Sequence, residues 1–295
     1  MRQSTSIRPL IRLTLFLALA GPVVAFQQPA PPSAAAPRRI ISLVPAVTEM
    51  LFAIGAGDRT IAVSSFDRFP PEIEKLPRVG ALLDPDVERI LAMRPDLVIV
   101  YRTQSDLQVQ LKRAQIPFFL YEHAGLADVT STLRQVGERV GAAQRAAQLA
   151  ATVEQRIDTV QKRTRDVTKP RTLVVIGRDP FALRGMFASG GIGFIHDMVT
   201  EAGGDNVFAD VERQAVQATS ELLISRKPEV IVELRADTVD AATLTRELKV
   251  WGTLASIPAV RNRRVHIVGD PRTVIPGPRV AEGVELLAAV LHQAR

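Results

Sequence analysis

The sequence contains no cysteine, and this absence excludes disulfide bonds, thiolate metal ligands and a cysteine nucleophile. It also leaves no side chain to carry the lipid of a bacterial lipoprotein, so we expect no lipid anchor. Aromatic residues make up only 5% of the chain, which leaves little for stacking on nucleic acid. No apolar run reaches the roughly 20 residues that cross a bilayer. With 46% hydrophobic residues among 295, however, the chain can bury one large core or two modest ones.

The positive charge is concentrated at the N-terminus. Three arginines and no acid fall within residues 1–25, and they account for half of the formal net charge of +6. We therefore expect no nucleic-acid partner. The run LTLFLALA at residues 13–20 follows these arginines, and small residues continue to Ala25. This pattern predicts a signal peptide over 1–25, cleaved after Ala25, and a mature protein free in the periplasm; a buried N-terminal helix is the alternative.

Strand-like and helix-like segments alternate from residue 38 onward, after a Pro/Ala-rich tether over 26–37. Nearly continuous apolar runs are typical of buried parallel strands, and helical patterns separate them. The candidate strands are Arg39–Val44, Thr60–Val63, Leu97–Tyr101, Phe118–Tyr121, Thr172–Ile176, Glu229–Leu234 and Arg264–Val268. The candidate helices are 46–55, 86–93, 104–115, 127–140, 192–202, 240–249 and 279–293.

One long polar helix divides these segments into two halves. Residues 142–168 contain neither proline nor glycine, and they carry a narrow apolar stripe at Val153, Ile157 and Val160. The sequence therefore predicts an α/β protein with two lobes of mainly parallel sheets and a ligand cleft between them. Its parts are an N-terminal lobe over 38–141, a linker helix over 142–169 and a C-terminal lobe over 170–295.

A short pattern occurs once in each half. Glu88 lies seven residues before Pro95, and Glu221 lies seven residues before Pro228; an acid and a strand follow each proline. Both glutamates lie near the start of a short helix, where a carboxylate favours the helix dipole. Simple capping is therefore one interpretation. The other is that two equivalent acids, one on each half, contact a basic partner.

The order of several motifs resembles one family. The motifs are Ile40–Glu49, Val63–Pro71, Glu88–Val100, Ala202–Phe208, Glu221–Pro228 and Pro276–Arg279. In this order they resemble the periplasmic substrate-binding proteins for cobalamin and iron–siderophores of ABC importers, most closely the cobalamin binders. The resemblance implies a stiff molecule that captures a small-molecule ligand and performs no bond chemistry. It also implies an ABC permease dimer in the inner membrane as partner, with Glu88 and Glu221 engaging its arginines.

The resemblance also implies a set of ligand-contacting residues. Phe66 and Tyr101 match aromatic positions that face the corrin ring, although packing under a loop is the alternative for both. Leu82 and Ala215 stand where the cobalamin binders have tryptophan, so two large flat contacts are missing. The full candidate set is Pro45, Ala46, Phe66, Leu82, Tyr101, Phe181, Asp270 and Arg272.

Other chemistry has weaker support in the sequence. The four histidines show no metal-ligand spacing, so we expect no zinc site, although His123 is a hypothetical axial ligand for a haem or corrinoid metal. Residues 189–193, SGGIG, precede a helix and suggest either an anion site or, more simply, a tight helix entry. No GxSxG elbow occurs.

We therefore interpret the chain as a monomeric periplasmic protein that binds a corrinoid such as cobalamin, with no cofactor of its own. Haem or a ferric siderophore is the alternative ligand, and the missing tryptophans favour it. An exported α/β enzyme is a remote alternative, because no pair of nucleophile and base is evident.

Overall fold

The computed structural model describes residues 36–122 and 124–293. The predicted signal peptide, most of the tether and His123 lie outside the described residues. Among the helices that the structure describes, none combines the length and the apolar character needed to cross a membrane.

The first lobe is a four-stranded parallel sheet with helices on both faces. Its strands are β1 (Ile40–Ser42), β2 (Thr60–Val63), β3 (Leu97–Tyr101) and β4 (Phe118–Tyr121), in the order β2-β1-β3-β4. Its helices are α1 (Pro45–Ala53), α2 (Val87–Ala92), α3 (Ser105–Arg113) and α4 (Ala127–Arg139). The apolar runs of β1, β2 and β3 are largely buried, as parallel strands covered by helices must be, whereas the edge strand β4 is partly exposed.

A single long helix, α5 (Ala143–Thr164), follows the first lobe. Its 22 residues give a length of about 33 Å. The buried positions Ala146, Ala150, Val153 and Val160 form one narrow stripe, and the other faces are largely polar. The helix begins one residue after Ala142 and ends five residues before Lys169, the two limits of the predicted linker.

The second lobe contains a six-stranded mixed sheet. Its strands are β5 (Arg171–Gly177), β6 (Phe187–Ser189), β7 (Asp205–Asn206), β8 (Ala215–Gln217), β9 (Val230–Arg235) and β10 (Val265–Gly269). Strands β10, β9 and β5 are parallel, whereas β6 and β8 continue the sheet antiparallel. Its helices are α6 (Phe194–Glu201), α7 (Ser220–Arg226), α8 (Ala241–Val250), α9 (Pro258–Arg261) and α10 (Val280–Leu291).

The two lobes share one hydrophobic core. Residues of α1 and α4 from the first lobe, and of α6 and α10 from the second, belong to one buried cluster with the stripe of α5. Two smaller cores lie against the sheets, one within each lobe. The only tryptophan, Trp251, is buried in the core of the second lobe. The lobes are therefore joined by packing as well as by the helix, and the two-lobed α/β fold is confirmed.

Candidate functional site

The loops that follow the parallel strands form the candidate site. Ligands of parallel sheets lie beyond the carboxyl ends of the strands, because the loops there converge. In the first lobe Pro45 begins the helix that follows β1, Phe66 lies in the loop after β2, and Tyr101 is the last residue of β3. In the second lobe the loops contain Phe181 after β5 and Asp270 after β10. The structure thus places five of the eight candidate residues at strand ends.

Phe66 is the most exposed aromatic side chain of the first lobe, with 66% of its surface accessible. Its loop is held from inside by Asp67, whose carboxylate accepts a hydrogen bond from the Ser64 backbone N–H at 2.9 Å. The Ser64 hydroxyl in turn accepts from the Phe66 N–H at 3.2 Å. Asp67 is fully buried, and burial raises the pKa of its carboxyl group. Phe66 is therefore presented outward by a fixed turn and does not pack under a loop.

In the first lobe, the Gln104 side chain connects the end of β3 to the loop that contains Leu82. Its amide nitrogen donates to the carbonyl oxygens of Ala81 and Leu82 at 3.2 and 3.1 Å, and its carbonyl oxygen accepts from the Tyr101 N–H at 3.0 Å. Leu82 is partly exposed, and its neighbour Leu83 is 92% exposed. Because Gln104 itself is buried, these two leucines lie on a supported loop. Sequence reasoning did not identify Leu83 or Gln104.

The other candidates of the first lobe differ in exposure. Tyr101 is partly buried and meets Tyr121 edge to face, with ring centroids 5.7 Å apart. Burial raises the pKa of Tyr101 to about 12, so its hydroxyl stays protonated at neutral pH. Pro45 is partly exposed at the start of α1. Ala46 is only 3% exposed and belongs to the shared core, so its side chain offers a ligand very little surface.

A cluster of buried charges forms the wall of the second lobe. Arg178 follows β5 and lies 2.9 Å from Glu233 and 2.7 Å from Glu247. Arg235, the last residue of β9, contacts the same two carboxylates at 2.5 and 3.1 Å. A cavity of about 380 Å³ opens beside these four residues, which we call the charge cluster. Burial alone would raise the pKa of Glu247, but hydrogen bonds from both arginines outweigh it and lower that pKa.

Sequence reasoning missed the charge cluster, although a signal was present. Glu233 interrupts the apolar run VIVELR, and a charged residue inside a buried strand must have a partner. Arg178 and Arg235 each follow such a run directly, at the carboxyl end of a strand. Glu247 lies in α8, so only the tertiary fold brings it to the group.

Phe181 lies beside the charge cluster in an unusual backbone conformation. Its φ is +56°, a left-handed value that bulky residues rarely adopt. Its N–H donates to Glu247 at 3.2 Å, and the Arg246 guanidinium lies 4.8 Å from its ring centroid. The charge cluster therefore holds Phe181 in place with its ring 46% exposed.

Asp270 and Arg272 form a pair at the end of β10. The Asp270 carboxylate accepts from the backbone N–H and from Nε of Arg272, both at 2.9 Å. Arg272 also donates to Glu282 at 3.0 Å. Hydrogen bonds from Arg272 lower the pKa of Asp270, so this carboxyl group stays ionised. Neither side chain is a free charge, because each already has a partner.

The two glutamates of the repeated pattern occupy equivalent positions. Glu88 lies in the first turn of α2 and Glu221 in the first turn of α7, and both are exposed. The helices end alike, since Arg94 and Lys227 both have left-handed φ values, of 46° and 50°. An arginine side chain also donates hydrogen bonds to carbonyl oxygens at each helix end. Arg39, just before β1, donates to the carbonyl oxygens of Met93 and Arg94, and Arg171, the first residue of β5, donates to that of Arg226. The sequence repeat is therefore a structural repeat.

The remaining motifs have ordinary structural explanations. Within the part of the chain that the structure describes, no group of three His, Asp or Glu residues could hold a metal ion. His196 contacts Asn206 at 3.1 Å. The N–H groups of Gly190 and Gly191 donate to the carbonyl oxygens of Gln214 and Val211, so they are not free for an anion.

Comparison with known proteins agrees with this architecture. The profile of the periplasmic binding protein family matches residues 40–271. The chain belongs to this family. The periplasmic binding protein described here is 28% identical over 264 residues to an uncharacterised ABC transporter substrate-binding lipoprotein of Bacillus subtilis, covering 87% of this chain and 80% of the relative. It is 33% identical over 202 residues to a vitamin B12-binding protein of Yersinia pestis, covering 68% of this chain and 70% of the relative.

A solved structure supports the same assignment. The apo form of the periplasmic heme-binding protein RhuT from Roseiflexus sp. RS-1 matches with a TM-score of 0.72 and 26% sequence identity, over 86% of this chain and 98% of that chain. The family resemblance found in the motif order is therefore confirmed. The family consists of substrate-binding proteins of ABC importers.

Proposed function

We propose that this periplasmic binding protein captures a corrinoid such as cobalamin and delivers it to an ABC importer. The observation that carries the proposal is that exposed apolar side chains on both lobes occur together with arginines that are already paired with carboxylates. Phe66, Leu82 and Leu83 offer exposed apolar surface on one lobe, and Phe181 offers it on the other. Such surfaces suit the faces of a large ring, because apolar area removed from water favours binding.

The balance of charge suits a neutral ligand. In the charge cluster two arginines face two glutamates, and at the end of β10 Arg272 is paired with Asp270 and Glu282. In the first lobe Arg102, after β3, pairs with Glu122, after β4. Corrinoids carry neutral amide side chains, which both donate and accept hydrogen bonds. Guanidinium groups beside carboxylates offer both kinds of partner. The similarity to the vitamin B12-binding protein points the same way.

Haem or a ferric siderophore is the second candidate. Leu82 replaces a flat aromatic contact of the cobalamin binders, and the Arg235 side chain is 27% exposed beside the cavity, where it could meet a carboxylate. The structural similarity to a heme-binding protein supports this candidate. An anionic ligand would, however, have to compete with Glu233 and Glu247 for both arginines.

The delivery step completes the proposal. Glu88 and Glu221, one on each lobe, would contact arginines of the two permease subunits, since exposed charges at a docking surface fix register and speed encounter. Export would use the signal peptide over 1–25, and the mature protein would act as an unanchored monomer in the periplasm. The domain limits 38–141, 142–169 and 170–295 describe the two lobes and the linker of this carrier.

Calorimetry with three ligands tests the proposal. The mature protein is titrated with cyanocobalamin, haem and a ferric hydroxamate siderophore, and the product of a long incubation is examined by mass spectrometry. We expect tight binding of intact cyanocobalamin and weak or no binding of the other two. Tight binding of haem or siderophore alone would transfer the proposal to the second candidate, and conversion of a ligand would indicate an enzyme.

A further inference from the structure

One ion pair joins the two lobes. Arg279 precedes α10 in the second lobe, and Glu49 lies in α1 of the first lobe, 230 residues away in sequence. The Arg279 guanidinium donates from Nε to Glu49 Oε2 at 2.9 Å and from Nη2 to Glu49 Oε1 at 2.7 Å. Two parallel hydrogen bonds of this kind fix the relative orientation of both groups.

The same guanidinium also contacts the loop that presents Phe66. It lies over the ring of Phe69, 3.7 Å from the centroid, which is a close cation–π contact. Phe69 belongs to the turn that follows β2, three residues after Phe66. Arg279 therefore holds two separate parts of the first lobe, one through its edge and one through its face.

The environment makes this pair difficult to replace. The Glu49 side chain is 3% exposed, and burial raises the pKa of its carboxyl group while the hydrogen bonds of Arg279 act in the opposite direction. Gly277 allows the approach, because a Cβ atom there would lie 3.0 Å from Glu49 Oε2. Lysine could supply the charge of Arg279, but neither the second parallel hydrogen bond nor the flat face.

We propose that Arg279 is a positioning residue that sets the spacing of the two lobes and fixes the loop of residues 64–71 in the ligand-free protein. The shared core makes the joint between the lobes stiff, and Arg279 fixes the relative position of α1, the loop of residues 64–71 and the start of α10. The importance of this spacing for the ligand rests on the proposed function. The spacing of the lobes does not depend on the proposed function, because it can be measured in the protein without any ligand.

The chain has no native cysteine, so two introduced cysteines report the spacing directly. Asp106→Cys in α3 and Ala242→Cys in α8 are exposed positions on different lobes. Spin labels at these sites give the distribution of distances between the lobes by pulsed electron paramagnetic resonance. Hydrogen exchange measures the protection of the backbone amides of residues 64–71. We expect Arg279→Met to broaden the distribution and lengthen its mean, and to accelerate exchange in that loop. Arg279→Lys should give an intermediate result.

Arg134→Met is the matched control. Arg134 also forms two parallel hydrogen bonds with a glutamate, Glu154, both at 2.8 Å, but this pair joins α4 to α5. The Arg134→Met variant should leave the distance distribution and the hydrogen exchange of residues 64–71 unchanged. If Arg279→Met does not fold, because it leaves a buried carboxylate unpaired, Glu49→Gln with Arg279→Met removes both charges and should show the same broadening. Distances and loop exchange like those of the wild type in the folded Arg279 variants would overturn the proposal.

Discussion

At the scale of single residues, Phe181 shows how the site maintains an unfavourable conformation. A left-handed backbone costs a bulky residue on the order of 1 kcal/mol or more. Here the hydrogen bond to Glu247 and the stacking of Arg246 oppose that cost. Because strain of this kind is retained where the surroundings enforce it, the exposed ring of Phe181 is a strong candidate for ligand contact.

We expect Phe181→Asn to weaken ligand binding about fivefold or more, which corresponds to roughly 1 kcal/mol for the loss of one ring contact. Asparagine tolerates the left-handed backbone, so the melting temperature should change little. The control is Phe187→Asn, since Phe187 is equally exposed, at 46%, but lies on β6. Calorimetry and thermal denaturation of both variants check this, and equal loss of affinity in both would remove Phe181 from the site.

Asp270 gives a prediction for the dependence of stability on pH. Its pKa is lowered in the folded protein by Arg272, so the pair stabilises the fold above the ordinary pKa of an aspartate. This contribution is lost as the pH falls through the lowered pKa. We expect Asp270→Asn to cost about 1 kcal/mol of unfolding free energy at pH 7, and progressively less as the pH falls below the ordinary pKa of an aspartate. Urea denaturation across this range checks it, and a difference independent of pH would contradict the assignment.

The apolar pattern predicted where strands end, whereas the ligand contacts at those ends were implied by the family resemblance and stay predictions. Phe66, Tyr101 and Asp270 follow or end strands that the apolar pattern identified. The contact of Glu233 and Glu247 with the same two arginines was not predictable, because Glu247 lies in α8 and reaches Arg178 and Arg235 only in the folded chain. Ala46 shows that position at a strand end does not by itself predict an exposed side chain, because Ala46 lies near the start of α1 and yet packs in the shared core.

At the scale of elements, the two short helices α2 and α7 depend on their first residues. Asp86 caps α2 by accepting from the Arg89 N–H at 3.0 Å, and Thr219 caps α7 by accepting from the Leu222 N–H at 3.3 Å. Helices of six and seven residues have little stability of their own, so these caps and the tertiary packing hold them. The caps therefore also orient Glu88 and Glu221.

We expect Asp86→Ala and Thr219→Ala each to lower the free energy of unfolding by about 1 kcal/mol, because a helical N–H loses its acceptor. Asp86→Asn and Thr219→Ser retain an acceptor oxygen and should lose much less. Chemical denaturation of the four variants measures the difference. Equal losses for the alanine variant and its conservative counterpart would show that the cap is not the cause.

Most elements follow from local pattern, and the exceptions have a physical reason. All seven strands with continuous apolar sequence were predicted within three residues of their observed ends. The start of α5 was predicted within one residue, but the helix ends four residues before the end of the predicted segment 142–168. The strands β6, β7 and β8 were not predicted, because each has only two or three residues and β8 is largely exposed, so their sequences carry little apolar signal. β6 and β8 pair antiparallel at one side of the second sheet, where tertiary pairing and not periodicity selects them.

At the scale of the whole molecule, the shared core limits how far the lobes can separate. Opening the cleft widely would expose the apolar faces of α1, α4, α6 and α10 along α5, at about 25 cal/mol for each Å². A molecule of this kind presents its two lobe surfaces at a nearly constant separation. Two docking points on different lobes then act as one rigid pair, and each increases the effective concentration of the other.

We therefore expect Glu88→Ala with Glu221→Ala to reduce ligand uptake at least tenfold while leaving ligand affinity unchanged. Each exposed contact is worth only up to about 1 kcal/mol, so the single variants should have small effects and the pair a large one. The control is Glu138→Ala with Glu212→Ala, two exposed acids that also lie one on each lobe. Uptake is measured in cells that carry each variant in place of the wild-type protein, with affinity measured by calorimetry. Normal uptake by the first double variant would show that the partner binds elsewhere.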